Sequence, residues 1–218
     1  MNHLSSHNPL IVACQQRRVR LAQNIQVKSG SGVVILSTAE EKARNRDSDF
    51  PYRHDSDFFY LTGFDEPGAT LVMLIQKTGF ESHLFCRPKD LEREIWDGYR
   101  LGPEAAPEIL HLDAAYSNTD LGKKLPEFLA NQAAIYVRLA SNAQVDHQIR
   151  DWMSHVRQQA RAGTNAPEAF HDIESLIHEM RLFKGPGRSR PCDKRLLFLQ
   201  KPIFGLCAHA NLASASIN

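Results

Sequence analysis

Ten histidines raise the question of whether the chain carries a metal-dependent active site of its own. The best candidate is His178-Glu179, because a His-Glu-x-x-His helix places two imidazoles on one face around zinc, with the glutamate as general base. Here the pair is followed by Met, Arg and Leu, so the second histidine is missing. We therefore predict that His178 and Glu179 are ordinary solvated or packed helix residues.

Two carboxylate pairs, Asp47 with Asp49 and Asp55 with Asp57, have the i, i+2 spacing found in calcium loops. The glycine turn and closing glutamate of an EF-hand are missing, so local Asx-turn hydrogen bonds are the better interpretation. Residues 30–32 lack the Gly-Lys-Ser/Thr of a phosphate-binding loop, and no Gly-x-Ser-x-Gly elbow occurs. The sequence shows no catalytic constellation that is complete in itself.

The composition is typical of a soluble globular protein, with 218 residues, 42% apolar, 23% charged and a formal net charge of +1. No stretch approaches the roughly 20 apolar residues of a membrane span, and no signal peptide is predicted. Basic residues concentrate after Lys184 and leave a mildly acidic body, so neither nucleic acid nor a membrane is an expected partner. The four cysteines lack CxxC spacing, which favours reduced thiols and a cytoplasmic location.

The hydrophobic pattern alternates between strand and helix periods along the chain. Strands are predicted at 33–36, 69–76, 82–86 and 133–139, and helices at 9–27, 103–110, 119–131, 142–161 and 170–183. The second and third strands are predicted to form a hairpin across residues 77–79. This order predicts an α/β fold, a mixed sheet flanked by helices, in a single domain over residues 1–184.

Residues 46–67, RDSDFPYRHDSDFFYLTGFDEP, combine aromatic and polar side chains at unusual density. Such a passage predicts a hydrogen-bonded aromatic cluster beneath a connection. The string also resembles the signature of the aminopeptidase P N-terminal domain. The resemblance continues, in the same order, through residues 87–90 (RPKD), 94–102 (EIWDGYRLG), 166–167 (AP) and 178–184 (HEMRLFK).

The resemblance implies a two-domain Xaa-Pro aminopeptidase, in which a pita-bread domain with two manganese ions follows this domain. It implies substrates that are proline-containing peptides, cleaved after the N-terminal residue when proline is second, and assembly into a homo-oligomer. Trp96 matches a family tryptophan that reaches the substrate cleft of a neighbouring subunit, and Arg161 matches an arginine that points toward that cleft. The family's metal ligands have no match here, so no cofactor and no peptidase activity are expected of this chain alone.

After Lys184 the sequence departs from the family. Residues 185–218 contain three prolines and scattered glycines without a helix or strand period, which predicts a poorly ordered tail foreign to the family. Shifting the frame by one base between Pro191 and Cys207 permits Met-Arg-Gln-Ala-Ala-Ala-Ile-Ser-Ala-Glu-Ala-His-Ile-Arg-Ala-Met, which resembles the helix the family has next. The hypothesis is a frameshift near Lys184 that truncates the enzyme.

Two alternatives stay open at this point. The chain is also compatible with a fragment of a prolidase, which cleaves Xaa-Pro dipeptides and shares the two-domain plan. A stand-alone, non-enzymatic interaction module is the other alternative, because relatives of the same fold serve without catalysis. The pita-bread domain that the resemblance implies would distinguish these interpretations.

The two tryptophans lead to opposite expectations. Trp152 has Ile149, Met153 and Val156 around it at mostly helical spacings, so its indole is predicted to pack against the sheet. Trp96 stands beside Gly98 and among charged residues that discourage burial. We predict that Trp96 is much more exposed than Trp152.

Overall fold

The computed structural model describes residues 8–182, so the predicted tail at 185–218 and the predicted domain end at Lys184 lie outside the described residues. One compact unit runs to Glu179. Met180 begins a second unit, of which residues 180–182 are described.

Helices and strands alternate through the described range. The helices are α1 (Pro9–Ser29), α2 (Ser56–Thr62), α3 (Leu91–Asp97), α4 (Gly102–Leu110), α5 (Leu121–Leu129), α6 (Ala143–Gln158) and α7 (Glu174–Leu182). The strands are β1 (Gly32–Ser37), β2 (Thr70–Gln76), β3 (Gly79–Cys86), β4 (Ala114–Ser117), β5 (Ala134–Val137) and β6 (Ala169–Asp172). Single 3-10 turns occupy Asn118–Asp120 and Gln159–Ala162.

The strands form one mixed six-stranded sheet in the order β4-β3-β2-β1-β5-β6. Strand β2 pairs antiparallel with β1 and with β3, whereas β1 with β5, β5 with β6 and β3 with β4 are parallel pairs. Gln76 faces Gly79, so β2 and β3 form the predicted hairpin. The predicted α/β fold, a mixed sheet flanked by helices, is confirmed.

Side chains alternate between the two faces of the sheet, and each face is covered by its own helices. On one face, α5 and α6 pack over the sheet in an apolar core. That core contains Val33, Ile35, Val72, Phe85, Leu125, Leu129, Ile135, Val137, Ile149, Trp152, Met153 and Val156. The long helix α1 packs on the sheet together with α2 and α4, and buries Ile11, Cys14, Leu21 and Ile25.

A buried arginine on α1 joins this helix to α2 and α4 by hydrogen bonds. Arg18 is 1% exposed and donates hydrogen bonds to the carbonyl oxygens of Leu61 (2.8 Å), Leu110 (3.0 Å) and His111 (2.6 Å). These carbonyls stand at the ends of α2 and α4, where helical partners run out. Burial lowers the pKa of Arg18 to about 10, so the side chain stays charged at neutral pH.

Three local expectations need correction. The predicted helix at 170–183 begins as strand β6, which pairs with β5, and the helix α7 starts only at Glu174. Strand β4, which pairs with β3, was not predicted. The aromatic passage at residues 46–67 contains a capped helix, α2, that was not predicted.

Candidate functional site

The carboxylate pair Asp55 and Asp57 forms an ion-pair cluster around one arginine. Arg138 follows β5 and contacts Asp55 (Nη1–Oδ2, 2.9 Å), Asp57 (Nη2–Oδ2, 2.7 Å) and Glu174 (Nε–Oε1, 2.8 Å). His178 lies at the side of this cluster, with Nε2 3.5 Å from Asp57 Oδ2. The cluster therefore joins the starts of α2 and α7 to the end of β5.

The cluster favours the charged forms of Asp55 and Arg138. Burial alone would raise the pKa of Asp55, but the hydrogen bonds from Arg138 and from the backbone of Phe58 and Asp57 outweigh burial and lower it. Burial likewise opposes the charge of Arg138, yet its acidic neighbours raise the pKa overall. An arginine that contacts three carboxylates takes the place a cation would have among them.

The predicted Asx turn is present at the second carboxylate pair. Asp55 Oδ1 accepts from the backbone N–H groups of Asp57 and Phe58, both at 2.9 Å, and so caps α2. At the first pair the accepting oxygen belongs to Asn45 instead, which receives the N–H groups of Asp47 (2.9 Å) and Ser48 (2.8 Å). The second pair therefore has a structural role, whereas at the first pair Asn45 makes the turn.

A cleft of about 230 Å³ lies at the carboxyl ends of β1 and β5, beside the Arg138 cluster. After β1 the chain continues to α2, which packs with α1, and after β5 it continues to α6, which packs with α5. The connections from these two neighbouring strands thus run to opposite faces of the sheet, and a crevice is expected between them. Asn142 lines it, donating to Glu40 (2.7 Å) and capping α6. These lining groups already bind one another, which favours a structural role for the cleft.

The predicted site residue Trp96 lies on α3, in the connection between β3 and β4. None of the seven residues of α3, all within the described range, is buried. Leu91, Ile95 and Trp96 are 72%, 78% and 88% exposed, whereas Trp152 on α6 is 8% exposed. The exposure difference that the sequence predicts is thus present; the role of Trp96 toward a neighbouring subunit stays a prediction. We call Leu91, Ile95 and Trp96 the tip of the loop at residues 87–102.

The two sides of this loop meet at its base, where residues 100–102 are buried and Pro88 and Lys89 are exposed. We call these five residues the neck of the loop. Arg100 and Leu101 are 6% and 3% exposed. The backbone of Gly102 has φ +75°, and a Cβ there would lie 3.3 Å from the Cβ of Lys89. Glycine thus allows the two sides of the neck to touch.

Arg161 lies far along the chain from this loop, in the 3-10 turn that follows α6, and its side chain is exposed. Trp96 belongs to the connection that leads to the edge strand β4, and Arg161 to the connection that leads to the opposite edge strand β6. The two predicted residues therefore belong to connections at opposite ends of the strand order.

Two features are at issue among residues 8–182, namely a grouped set of metal ligands and a helix that could cross a bilayer. Among residues 8–182 the side chains of His, Cys, Asp and Glu include no group of three or more arranged to hold a metal ion. Across that range no helix has both the length and the apolar character that a bilayer span requires. The manganese ions that the resemblance implies thus find no ligand set in the described part of the chain.

Comparison with known proteins identifies the domain. Residues 14–136 match the family described as aminopeptidase P, N-terminal domain. Over 173 residues the chain is 39% identical to the Xaa-Pro aminopeptidase of Escherichia coli (strain K12), covering 79% of this chain and 38% of that protein.

Solved structures of E. coli aminopeptidase P have the same fold. The zinc-substituted enzyme in complex with product matches with a TM-score of 0.76 and 37% identity, covering 81% of this chain and 40% of that chain. The enzyme with the inhibitor Pro-Leu matches with a TM-score of 0.75 and 37% identity, covering 81% and 39%.

Fold and site together define an α/β domain with a mixed sheet and an exposed, tryptophan-bearing loop. The chain belongs to the aminopeptidase P N-terminal domain family. It spans about two fifths of the length of the E. coli enzyme that it matches.

Several groups that shape the site were not predicted. Glu66 anchors the neck by accepting the N–H of Leu101 at 2.8 Å, across 35 residues of sequence. Arg138 holds its three carboxylates from positions distant in the chain. The available signal was the place of Glu66 and Arg100 inside motifs 46–67 and 94–102, which indicates a role without its geometry.

Proposed function

We propose that this chain supplies the N-terminal domain of a manganese-dependent Xaa-Pro aminopeptidase, and that it acts by completing a peptide site rather than by catalysing alone. The observation that carries the proposal is the 88% exposure of Trp96 on a helix that buries none of its residues. Membership of the aminopeptidase P N-terminal domain family supports it.

An exposed tryptophan suits a peptide or protein surface. Its indole offers a large rigid apolar face and an N–H donor, so it binds well when a partner removes it from water. A second copy of the chain is the proposed partner, with Trp96 and Arg161 entering peptide clefts in a homo-oligomer. Both side chains are exposed, as a contribution to the cleft of a neighbouring subunit requires.

The proposed substrates are peptides with proline in second position. One solved relative is described as bound to the inhibitor Pro-Leu, and another as zinc-substituted and bound to product. The residues 8–182 have no ligand set for manganese, so the ions would be bound elsewhere. The contribution of the described residues is therefore to bind and to orient the peptide. We further propose that the protein acts in the cytoplasm.

The two alternatives make different demands on the loop. A prolidase fragment would differ in the length of the completed cleft, and a stand-alone interaction module would present Trp96 to another protein. The E. coli relative and its solved structures bear the names Xaa-Pro aminopeptidase and aminopeptidase P, which favours the first proposal over both.

A domain exchange tests the proposal. The 173 aligned residues of the E. coli enzyme would be replaced by those of this chain, and turnover of an Xaa-Pro peptide measured with manganese. The exchanged enzyme should be active, and Trp96→Ala should lower kcat/KM about tenfold, which corresponds to roughly 1.4 kcal/mol. Arg161→Ala should lower it as well, whereas the 218-residue chain alone should show no turnover.

Val27→Ala is the control, because Val27 is 90% exposed on α1 and belongs to neither proposed contact. Equal kcat/KM for the Trp96→Ala and Val27→Ala exchanges would contradict the proposed role of Trp96. Manganese-dependent turnover by the 218-residue chain would contradict the non-catalytic assignment.

A further inference from the structure

We infer that Arg100 is a positioning residue, whose side chain fixes the direction in which α3 presents Trp96. The inference rests on the proposed function, because presentation matters only if Trp96 binds a partner. It goes beyond that function by naming the group that orders the loop.

Helix α3 cannot hold its place by packing. None of its seven residues is buried, and a helix of this length is far shorter than the roughly 12–15 residues at which isolated helices become marginally stable. The side chain of Asp90 caps its start by accepting the N–H groups of Glu92 (3.2 Å) and Arg93 (3.1 Å). The order of the tip must therefore come from the ends of the helix and from the neck.

Arg100 connects both ends of α3. Nη2 donates to Asp97 Oδ2 at 2.7 Å, and Asp97 is the last residue of the helix. Nη1 reaches the carbonyl oxygen of Pro88 at 3.5 Å, just before the helix begins. One rigid guanidinium thus spans the loop, and because it is 6% exposed, its ion pair is less screened than a surface pair.

The neck keeps other contacts that do not involve this guanidinium. Glu66 Oε1 accepts the N–H of Leu101 at 2.8 Å, and Gly102 lies against Lys89. Burial raises the pKa of Glu66, while the charges of Arg87 and Arg100 lower it in part. Loss of Arg100 should therefore leave the neck closed and the sheet intact while it releases the tip.

Hydrogen exchange on the 218-residue chain, without peptide or metal, tests this separation. Arg100→Met keeps an unbranched apolar stem and removes the guanidinium donors. We expect the amides of residues 91–98 to exchange at least tenfold faster, while those of β2 and β3 keep their rates. Arg93→Met, the same change at an exposed position of α3, should leave the rates within twofold.

A second measurement follows Trp96 itself. With Trp152 replaced by Phe, the fluorescence anisotropy of Trp96 should decay faster in Arg100→Met than in the parent. Arg100→Lys retains one charge but not the planar bridge, so it should give an intermediate decay; this variant also serves if Arg100→Met does not fold.

Unchanged exchange at residues 91–98 would overturn the inference, and so would acceleration throughout the sheet, because Arg100 would then be an ordinary core residue. Neither measurement depends on peptidase activity. If Trp96→Ala leaves the exchanged enzyme fully active, the proposed function fails, and the exchange rates still decide whether Arg100 orders α3.

Discussion

Helices α6 and α3 each carry one tryptophan and use it in opposite ways. Helix α6 has 16 residues and buries Ile149, Trp152, Met153 and Val156 in the core beside α5. Helix α3 has seven residues and buries none of them. The exposed fractions of the two indole-bearing residues, 8% for Trp152 and 88% for Trp96, show that the same residue type stabilises one region and is presented by the other.

The difference lies in what holds each helix. Helix α6 is fixed by the side chains along its face, so truncating them should weaken the fold. Helix α3 is fixed by contacts at its ends, namely Asp90 and the Arg100–Asp97 pair, so its outward side chains should be free to vary without cost in stability. The region that maintains the fold and the region proposed for binding are therefore separable by mutation.

Truncation of Trp152 should have the largest effect on stability. Trp152→Ala should lower the free energy of unfolding by about 3–5 kcal/mol, because a buried indole is lost and a cavity remains. Urea denaturation followed by circular dichroism measures the loss. Trp152→Phe should cost less than Trp152→Ala, and equal losses for the two would contradict the packing role.

Elements with a clear hydrophobic period could be predicted from sequence, whereas some short ones could not. The hairpin β2–β3 and helix α6 follow the predicted patterns because each has enough residues to show a period. Strands β4 and β6 have four residues each and exist through pairing with β3 and β5. Such pairing depends on the tertiary fold, which local sequence does not report.

The exposure of Trp96 was also predictable, because charged neighbours and Gly98 discourage burial. The contacts that hold the loop of Trp96 in place were not predictable. Glu66 meets Leu101 at the base of the Trp96 loop across 35 residues, so this contact appears only once the fold has brought the two segments together. The sequence thus predicts that Trp96 is exposed, and the structure shows which contacts hold its loop.

Protonation of His83 should lower the free energy of unfolding by less than Trp152→Ala does. His83 is 5% exposed on β3, stacks on Phe128 of α5 at 4.9 Å between ring centroids, and has Nε2 3.2 Å from Glu81 Oε2. Burial lowers the pKa of His83 more than Glu81 raises it. In the unfolded chain, the His83 side chain therefore takes up a proton near pH 6.5, whereas in the folded chain it stays neutral to lower pH. The free energy of unfolding thus falls as the pH drops below about 6.5.

Unfolding free energies at pH 7.5 and pH 5.5 measure this loss. His83→Phe should reduce the difference between the two values, since Phe preserves the stack and cannot titrate. Val27→Ala, a change at a position that is 90% exposed and cannot titrate, should leave the difference as in the parent. A pH dependence that survives in His83→Phe would assign the loss to other groups.

Truncation of Trp96 should have the smallest effect on stability. Trp96→Ala should change the free energy of unfolding by no more than about 0.5 kcal/mol, as for surface positions in general, because its side chain already lies in water and touches no core. Fluorescence can show the reason in the same samples. With Trp152→Phe, the remaining emission should be red-shifted and readily quenched by acrylamide, and with Trp96→Phe it should be blue-shifted and shielded. If Trp96→Ala unfolds at markedly lower urea, or if the emission of Trp96 is shielded, the tip of the loop packs against the domain, and the contrast between α3 and α6 does not hold.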